Sequence, residues 1–413
     1  MNRRPQLSQW VVLLLALAVF INMVDRGNLA TAAPVLRDGL ALTNSQMGVL
    51  LSAFFWAYAP ALPLAGWMAH RFDVRVVLAG GLVVWSLATV LTGFAAGFAT
   101  LLIARLLLGL GESATYPCTM RLIAQYLPND QRGRASGLMG TGQALGPSIG
   151  TLFGGLLIAG FGWRVVFIGL GFASLCWLIT WYLATRRGVL AVKETIAHVP
   201  VPLWQLMRQR GLWGTSAGLF CLNYGYYFVL SWLPLILVKS RGFSVEQMAF
   251  IGAGVYGVHA VFCTVMGAAS DRWIRRGAST NRVRKTFVVL GSLGSAATIA
   301  LTANADPNST IWLLCLYGFF AGFTTPMIFA ITQSFAGSRA AGQWYGLQAI
   351  AGQSAGIIAP IVTGLIVEST GQFGWAFLTA ALVLLIGAFA WGLIVPRIEP
   401  ILWPADFMSP AAT

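Results

Sequence analysis

Asp25 and Arg26 stand side by side in FINMVDRGNLA (20–30), directly after the apolar run WVVLLLALAV (10–19). Arg105 and Glu112 stand seven residues apart in a second apolar stretch, RLLLGLGESATYP (105–117). Two cations and two anions thus sit in greasy surroundings. Arginine stays charged and offers a planar fork of donors that fits a carboxylate. A carboxyl group can take up and release a proton. Together these types suit a site that binds an organic anion and couples it to protons. At the centre of a bilayer each would cost roughly 2.5–3.5 kcal/mol, so the four would cost about 10 kcal/mol, comparable with the whole stability of a domain. They must therefore pair and face protein or a watery cavity. One reading is an ion-pair staple that only fixes helix register, although such pairs rarely repay their desolvation. The other, the default for ionisable residues inside a membrane, is a substrate or proton site.

Helical geometry refines this. Arg105 and Glu112 fall about 20° apart on one helix face and about 10.5 Å apart along the axis. Gly109 and Tyr116 share that face. Asp25 and Arg26 diverge by about 100°, with Asn22 between them. The expectation is Arg26 aimed at a central cavity and Asp25 at the neighbouring fourth helix. His259 reads as a packed histidine or as a fifth member of the set.

The elements that must hold these residues are membrane helices. Of 413 residues, 57% are hydrophobic and 9% charged, and mean hydropathy is +0.75; a soluble protein carries about 25% charged residues. Stretches of about 20 apolar residues mark membrane spans. Twelve are expected, near 10–33, 45–69, 76–97, 98–120, 134–160, 163–184, 212–238, 246–269, 286–304, 309–335, 342–367 and 374–395. Arg3 and Arg4 before the first run resemble a signal peptide, but eleven further spans follow and no convincing cleavage site does, so this run reads as the first span. The chain has 26 Lys and Arg residues. Arg26 and Arg105 are intramembrane, and only Arg37, Arg164, Lys239 and Arg241 fall on one side. The other 20 fall on the side of the termini. The positive-inside rule then predicts both termini in the cytoplasm, as an even span count requires. The net charge of +14 is topology and implies no nucleic acid. The five cysteines, Cys118, Cys176, Cys221, Cys263 and Cys315, lie in separate apolar stretches without metal spacing. Absence of H-E-x-x-H and of any His/carboxylate cluster argues against an enzyme and against a metal or cofactor.

The two halves echo each other. GWMAHRFDVR (66–75) follows span two, and GAASDRWIRR (267–276) follows span eight. GQALG (142–146) and FGWRVVF (161–167) return as GQSAG (352–356) and FGWAFLT (373–379). A duplicated six-helix unit places a transport site between the halves. The expected division is 1–184 and 212–413, each a six-helix bundle, joined by a polar linker at 185–211.

The loop pattern G-x-x-x-D-R-x-x-x-R resembles the signature of the major facilitator superfamily. The first copy departs from it, with His70 in place of Asp and Asp73 in place of Gly; the second keeps Asp271. RLLLGLGESATYP, the Asp25–Arg26 step and NYGYYFVLSWLPLIL (223–237) together resemble the anion:cation symporter family, which includes bacterial hexuronate and galactonate carriers and vesicular glutamate and sialic-acid carriers. The resemblance implies an all-α fold of two pseudo-symmetric bundles that rock about a central site in a bacterial inner membrane. It implies that Arg26 binds a carboxylate, that Asp25 and Glu112 carry protons, and that Arg105 links helices one and four or attracts anions. Tyr58 and Gln143 match cavity residues. Gly66, Arg71, Gly267, Asp271 and Arg272 belong to the gating loops. Asn223, Tyr224, Tyr227 and the repeat-related Gln143 and Gln353 read either as helix packing or as polar fingers in the cavity. Met23, Thr324-Thr325-Pro326 and Gln348-Ala349 depart from galactonate-type carriers.

The expected activity is proton-coupled import of a small organic carboxylate: a sugar acid, an aromatic acid or a dicarboxylate. The protein is expected to act as a monomer in the lipid bilayer. The empty quartet is neutral; a monoanion and one proton keep it so. Two rivals use the same fold. An antiporter is suggested by the glycine–proline pattern from Gly133 to Gly150, in which Thr151 replaces the last glycine; this is a packing motif that symporters share. An anion exchanger would use the arginines but would not need Asp25 and Glu112.

Overall fold

A computed structural model describes residues 9–127, 129–185, 201–401 and 403. Twelve helices are long and apolar enough to cross a membrane. They are α1 Gln9–Gly39, α2 Asn44–Ala69, α3 Val74–Gly93, α4 Phe98–Ile123, α5 Gly137–Phe161, α6 Trp163–Thr185, α7 Arg210–Ser240, α8 Val245–Arg275, α9 Thr280–Thr302, α10 Pro307–Gly337, α11 Ala340–Thr370 and α12 Gly374–Ile394. No strand occurs among the described residues. Most of the expected linker lies outside them, apart from a short helix, Leu203–Met207.

Local sequence sets the boundaries. Thr43 caps α2 in a reciprocal box with Gln46, and Ser244 caps α8 with Gln247 in the same way. Each box satisfies two otherwise orphaned N–H groups. These caps sit 201 residues apart, the offset of the loop repeat (43 to 244, as 66 to 267), and so mark the duplication a further time. Asp306 caps α10, with Pro307 in the first turn where its missing N–H costs nothing. Between α10 and α11 the chain turns at Gly337, with φ of 62°, a left-handed conformation that glycine adopts freely.

Pairing of helices follows the repeat. α1 packs on α5 and, in the second half, α7 packs on α11. Buried polar side chains join this pair and tie it to α10: Gln348 on α11 donates to the Thr215 carbonyl of α7 at 3.3 Å and accepts from Thr332 of α10 at 2.7 Å. This is interhelical glue of the kind lipid-embedded bundles use.

The two bundles meet α2 against α11 and α5 against α8, and closure is one-sided. Ser148 donates to the Ala253 carbonyl at 2.8 Å near the midplane. The Glu368 carboxylate accepts from the backbone N–H groups of Asn44 and Ser45 at 2.9 and 3.2 Å. Lys239 pairs with Asp38. Gly48 faces the Pro360 carbonyl, where an added Cβ would come within 2.6 Å. All these contacts lie between the midplane and the end remote from the chain termini. Among the described residues no hydrogen bond or ion pair joins the bundles at the terminal end.

Candidate substrate site

The site forms where α1, α2, α4 and α7 meet at mid-depth. α4 is broken for the purpose. Pro117 has no N–H to give the Ser113 carbonyl, and the helix interrupts at Ser113–Ala114, immediately after Glu112. α2 and α4 approach so closely at Gly109 that a Cβ there would lie 2.2 Å from the Phe54 carbonyl. That contact brings the Arg105–Glu112 face of α4 against Phe54 and Tyr58.

Arg26 Nε donates to Glu112 Oε2 at 3.0 Å, and the pair is nearly sealed, with side chains 11% and 0% exposed. The Arg26 guanidinium also lies 4.3 Å from the Tyr58 ring centre and 4.8 Å from that of Phe54. Arg105 lies 5.5 Å from the same Phe54 ring. Two guanidiniums therefore share one aromatic platform, a cation–π arrangement strengthened by exclusion of water. Asp25 is buried and accepts from Asn28 Nδ2 at 3.1 Å. Asn22 donates to Thr115 at a long 3.4 Å.

The expected aim of Asp25 is corrected here. Arg26 makes the hydrogen-bonded contact with α4, while facing the cavity, and Asp25 meets the α4 charges Glu112 and Arg105 only through its field. Asp25 bonds within its own helix. The physical reason is reach: a long guanidinium side chain spans both the cavity and the break in α4, whereas the short carboxylate does not. Arg105 lies within electrostatic reach of Asp25, Arg26 and Glu112, so all four charges form one set.

Unused hydrogen-bonding capacity concentrates there. Arg26 Nη2, Arg105 Nε, Asp25 Oδ2, Glu112 Oε1 and the Tyr116 hydroxyl are buried without a protein partner among the described residues. Buried polar atoms are normally paired, so this clustering marks groups held ready for something else. A cavity of about 20 Å³, lined by Arg26, Phe54, Phe55, Arg105 and Ser231 among others, touches both arginines. It has room for about one water and none for an organic anion, so that flank of the site is sealed.

Tyrosines surround the arginine. Tyr58, Tyr116 and Tyr227 lie within electrostatic reach of Arg26, as does Tyr226, and Tyr345 of α11 lies within reach of Tyr116. Tyr227 donates to Gln353 Oε1 at 2.8 Å and packs edge-on against Phe55 across the bundle interface. Asn223 donates to the Gly352 carbonyl at 3.0 Å, and Tyr224 is buried. The repeat-related glutamines differ: Gln353 is engaged, while Gln143 is exposed and without a hydrogen bond among the described residues. Tyr226 and Tyr345 were not singled out in the sequence, because only the packing of α7 and α11 brings Tyr226 near Arg26 and Tyr345 near Tyr58 and Tyr116.

Of the gating-loop residues, Arg71, Asp271 and Arg272 are exposed, and Gly66 and Gly267 half-buried. Asp73 caps α3 and pairs with Arg75 at 2.6 Å. The Arg75 guanidinium beside it holds the Asp73 carboxyl below the usual carboxylate range. This departure from the loop pattern is thus a local cap.

The Major Facilitator Superfamily model matches residues 15–360 and 282–406. The chain belongs to that superfamily. It is 31% identical to a probable sulfoacetate transporter of Cupriavidus necator over 94% of both chains. It is 30% identical to a hexuronate transporter of Bacillus subtilis over 95% of both. Among solved structures it resembles a bacterial homolog of the human lysosomal transporter Spinster, in an inward-facing and occupied conformation, with a TM-score of 0.82, 19% identity, and coverage of 95% of this chain and 97% of that one. These relatives support the anion:cation symporter type within the superfamily. The chain is accordingly a multi-pass transporter of the bacterial inner membrane and not an enzyme.

Proposed function

We propose that the chain is a proton-coupled symporter that imports a small organic carboxylate by alternating access. Arg26 binds the carboxylate, Asp25 and Glu112 carry the protons, and Arg105 shares the anion's field. Tyr58, Gln143, Asn223, Tyr224, Tyr227 and Gln353 line the path. The bundles 1–184 and 212–413 rock about the site, with the 185–211 linker and both termini in the cytoplasm, and the loops at Gly66, Arg71, Gly267, Asp271 and Arg272 gate that side. The single observation that carries this reading is the buried Arg26–Glu112 pair beside a guanidinium nitrogen left without a partner.

One guanidinium can serve a resident carboxylate or an arriving one. An anion that takes Arg26 leaves Glu112 less well compensated, and a proton on Glu112 restores the balance. Anion and proton then favour each other's binding, and by linkage each does so equally. The relatives named for hexuronate and sulfoacetate carry acids of this general kind. A panel of labelled carboxylates, offered to proteoliposomes under an imposed inward proton gradient, tests the reading. Accumulation of at least one acid, lost in Arg26→Ala, is expected. Uptake of an acid that Arg26→Ala leaves intact overturns it.

A further inference from the structure

The second bundle holds a polar group that the quartet does not use. His259 sits in the middle turns of α8 and is half-buried. Its Nε2 lies 3.1 Å from the Thr325 hydroxyl on α10. The Thr325 hydroxyl points back to the Ala321 carbonyl at 3.4 Å. With the Thr325 hydroxyl turned to that carbonyl, it accepts from the imidazole, and the ring proton sits on Nε2. In the neutral ring Nδ1 then carries a bare lone pair. Nδ1 makes no hydrogen bond among the described residues and is absent from the sealed, unpartnered atoms. It is an open acceptor at mid-depth, where polar groups are retained for a purpose.

The imidazole connects to the arginine end. Its ring lies 6.1 Å from Tyr226, and Tyr226 lies 5.4 Å from Tyr227. Both tyrosines are within electrostatic reach of Arg26. A molecule held by its carboxylate at Arg26 and lying across the bundle interface would present its other end along this aromatic wall toward His259. Close packing fixes the backbone that carries His259: a Cβ at Gly318 of α10 would come 2.5 Å from the Val255 carbonyl and 3.4 Å from the His259 backbone nitrogen.

We propose that His259, oriented by Thr325 and walled by Tyr226, is a specificity-determining residue whose Nδ1 accepts a hydrogen bond from the tail of the transported anion. The substrate class is then a monocarboxylate whose far end donates, such as a hydroxy acid. A dicarboxylate fits poorly, because a second carboxylate is an acceptor facing an acceptor. A purely aliphatic acid leaves Nδ1 unpaired, which a polar site penalises strongly. This rests on the reading of Arg26 as the carboxylate anchor.

Binding of gluconate, hexanoate and glucarate to the purified full chain tests both. Wild-type protein is expected to bind gluconate at least 10-fold tighter than either of the other acids. H259F should reduce the gluconate-to-hexanoate ratio to within about twofold. H259Q keeps a polar atom toward Thr325 but not at Nδ1 and should do the same if H259F does not fold. H259N, whose amide oxygen stands near the Nδ1 position, should retain the preference. Equal binding of gluconate and hexanoate by the wild type overturns the proposal, as does an unchanged ratio in a folded H259F or H259Q. Arg26→Ala separates the two readings. If it abolishes binding of all three acids while H259F keeps the ratio, only the His259 proposal fails. If it leaves binding intact, the carboxylate anchor fails with it.

Discussion

Replacing Glu112 by Gln removes one charge and keeps the shape. Glu112 Oε2 sits 3.0 Å from Arg26 Nε, and the unpartnered Arg26 Nη2 offers the next place for a carboxylate. A substrate carboxylate there would lie roughly 6 Å from that of Glu112. At an effective dielectric constant of about 20, the repulsion is about 3 kcal/mol. Glu112→Gln removes it, so anion binding should tighten at least 10-fold and at most about 100-fold. The glutamine oxygen still accepts from Arg26, so the cost to stability stays at about 1–3 kcal/mol. Protonating Glu112 in the wild type should mimic the substitution. Wild-type Kd should therefore fall on acidification, by up to about tenfold per pH unit when one proton accompanies each anion. The variant's Kd should be tight and flatter with pH. In proteoliposomes the variant should still exchange substrate for substrate but lose accumulation driven by a proton gradient. Weaker binding with unchanged pH dependence would refute the competition between Glu112 and substrate for Arg26.

Four further outcomes follow from the geometry. Arg26→Lys keeps the charge but loses the fork and the stacking on Phe54 and Tyr58; a loss of about 2–3 kcal/mol, or 30- to 150-fold in Kd, is expected by titration. Gly109→Val drives side-chain atoms against the Phe54 carbonyl and should lower the melting transition by the equivalent of about 1–3 kcal/mol. Glu368→Gln weakens the caps on Asn44 and Ser45; maleimide labelling of S45C should quicken several-fold as that end opens more often, an exposed charge contributing about 0.5–1 kcal/mol. Asp73→Asn should cost less than about 1 kcal/mol in a melt at pH 7. The Asp73 carboxyl is held low by Arg75, so its contribution is present above the unfolded value near pH 4 and lost as pH falls through the folded one. The difference between wild type and variant should therefore vanish in strong acid.

Much of the architecture was legible because a bilayer imposes length and apolarity on every span. The run at 10–33 extends to Gln9–Gly39, and that at 286–304 begins earlier, at Thr280. Flanking polar residues such as Arg37, Arg282 and Arg284 continue a helix that hydropathy alone truncates. Asp25, Arg26, Arg105 and Glu112 stood out because charge in hydrocarbon is costly. Their pairing was not legible. A 100° step fixes the angle between neighbours on one helix but not which helix each meets, and the interruption of α4 at Ser113–Ala114 follows Glu112 directly. The tyrosine shell was hidden for a related reason: Tyr58, Tyr116, Tyr226, Tyr227 and Tyr345 come from four helices, and only packing brings the first four around Arg26 and Tyr345 beside Tyr58 and Tyr116. The Asn223 and Gln353 contacts proved to be α7–α11 bonds, yet they lie against the same surface as Tyr227.

The proposed transport cycle requires Arg26 to hold an anion whose entry is tied to a proton. The most direct test is uptake of a labelled acid, one that the protein binds through Arg26, into proteoliposomes with no initial substrate gradient and an imposed proton gradient. Accumulation above the external concentration, collapsed by a protonophore and accompanied by alkalinisation outside, is predicted. Uptake that needs a second anion inside and ignores the protonophore would contradict it.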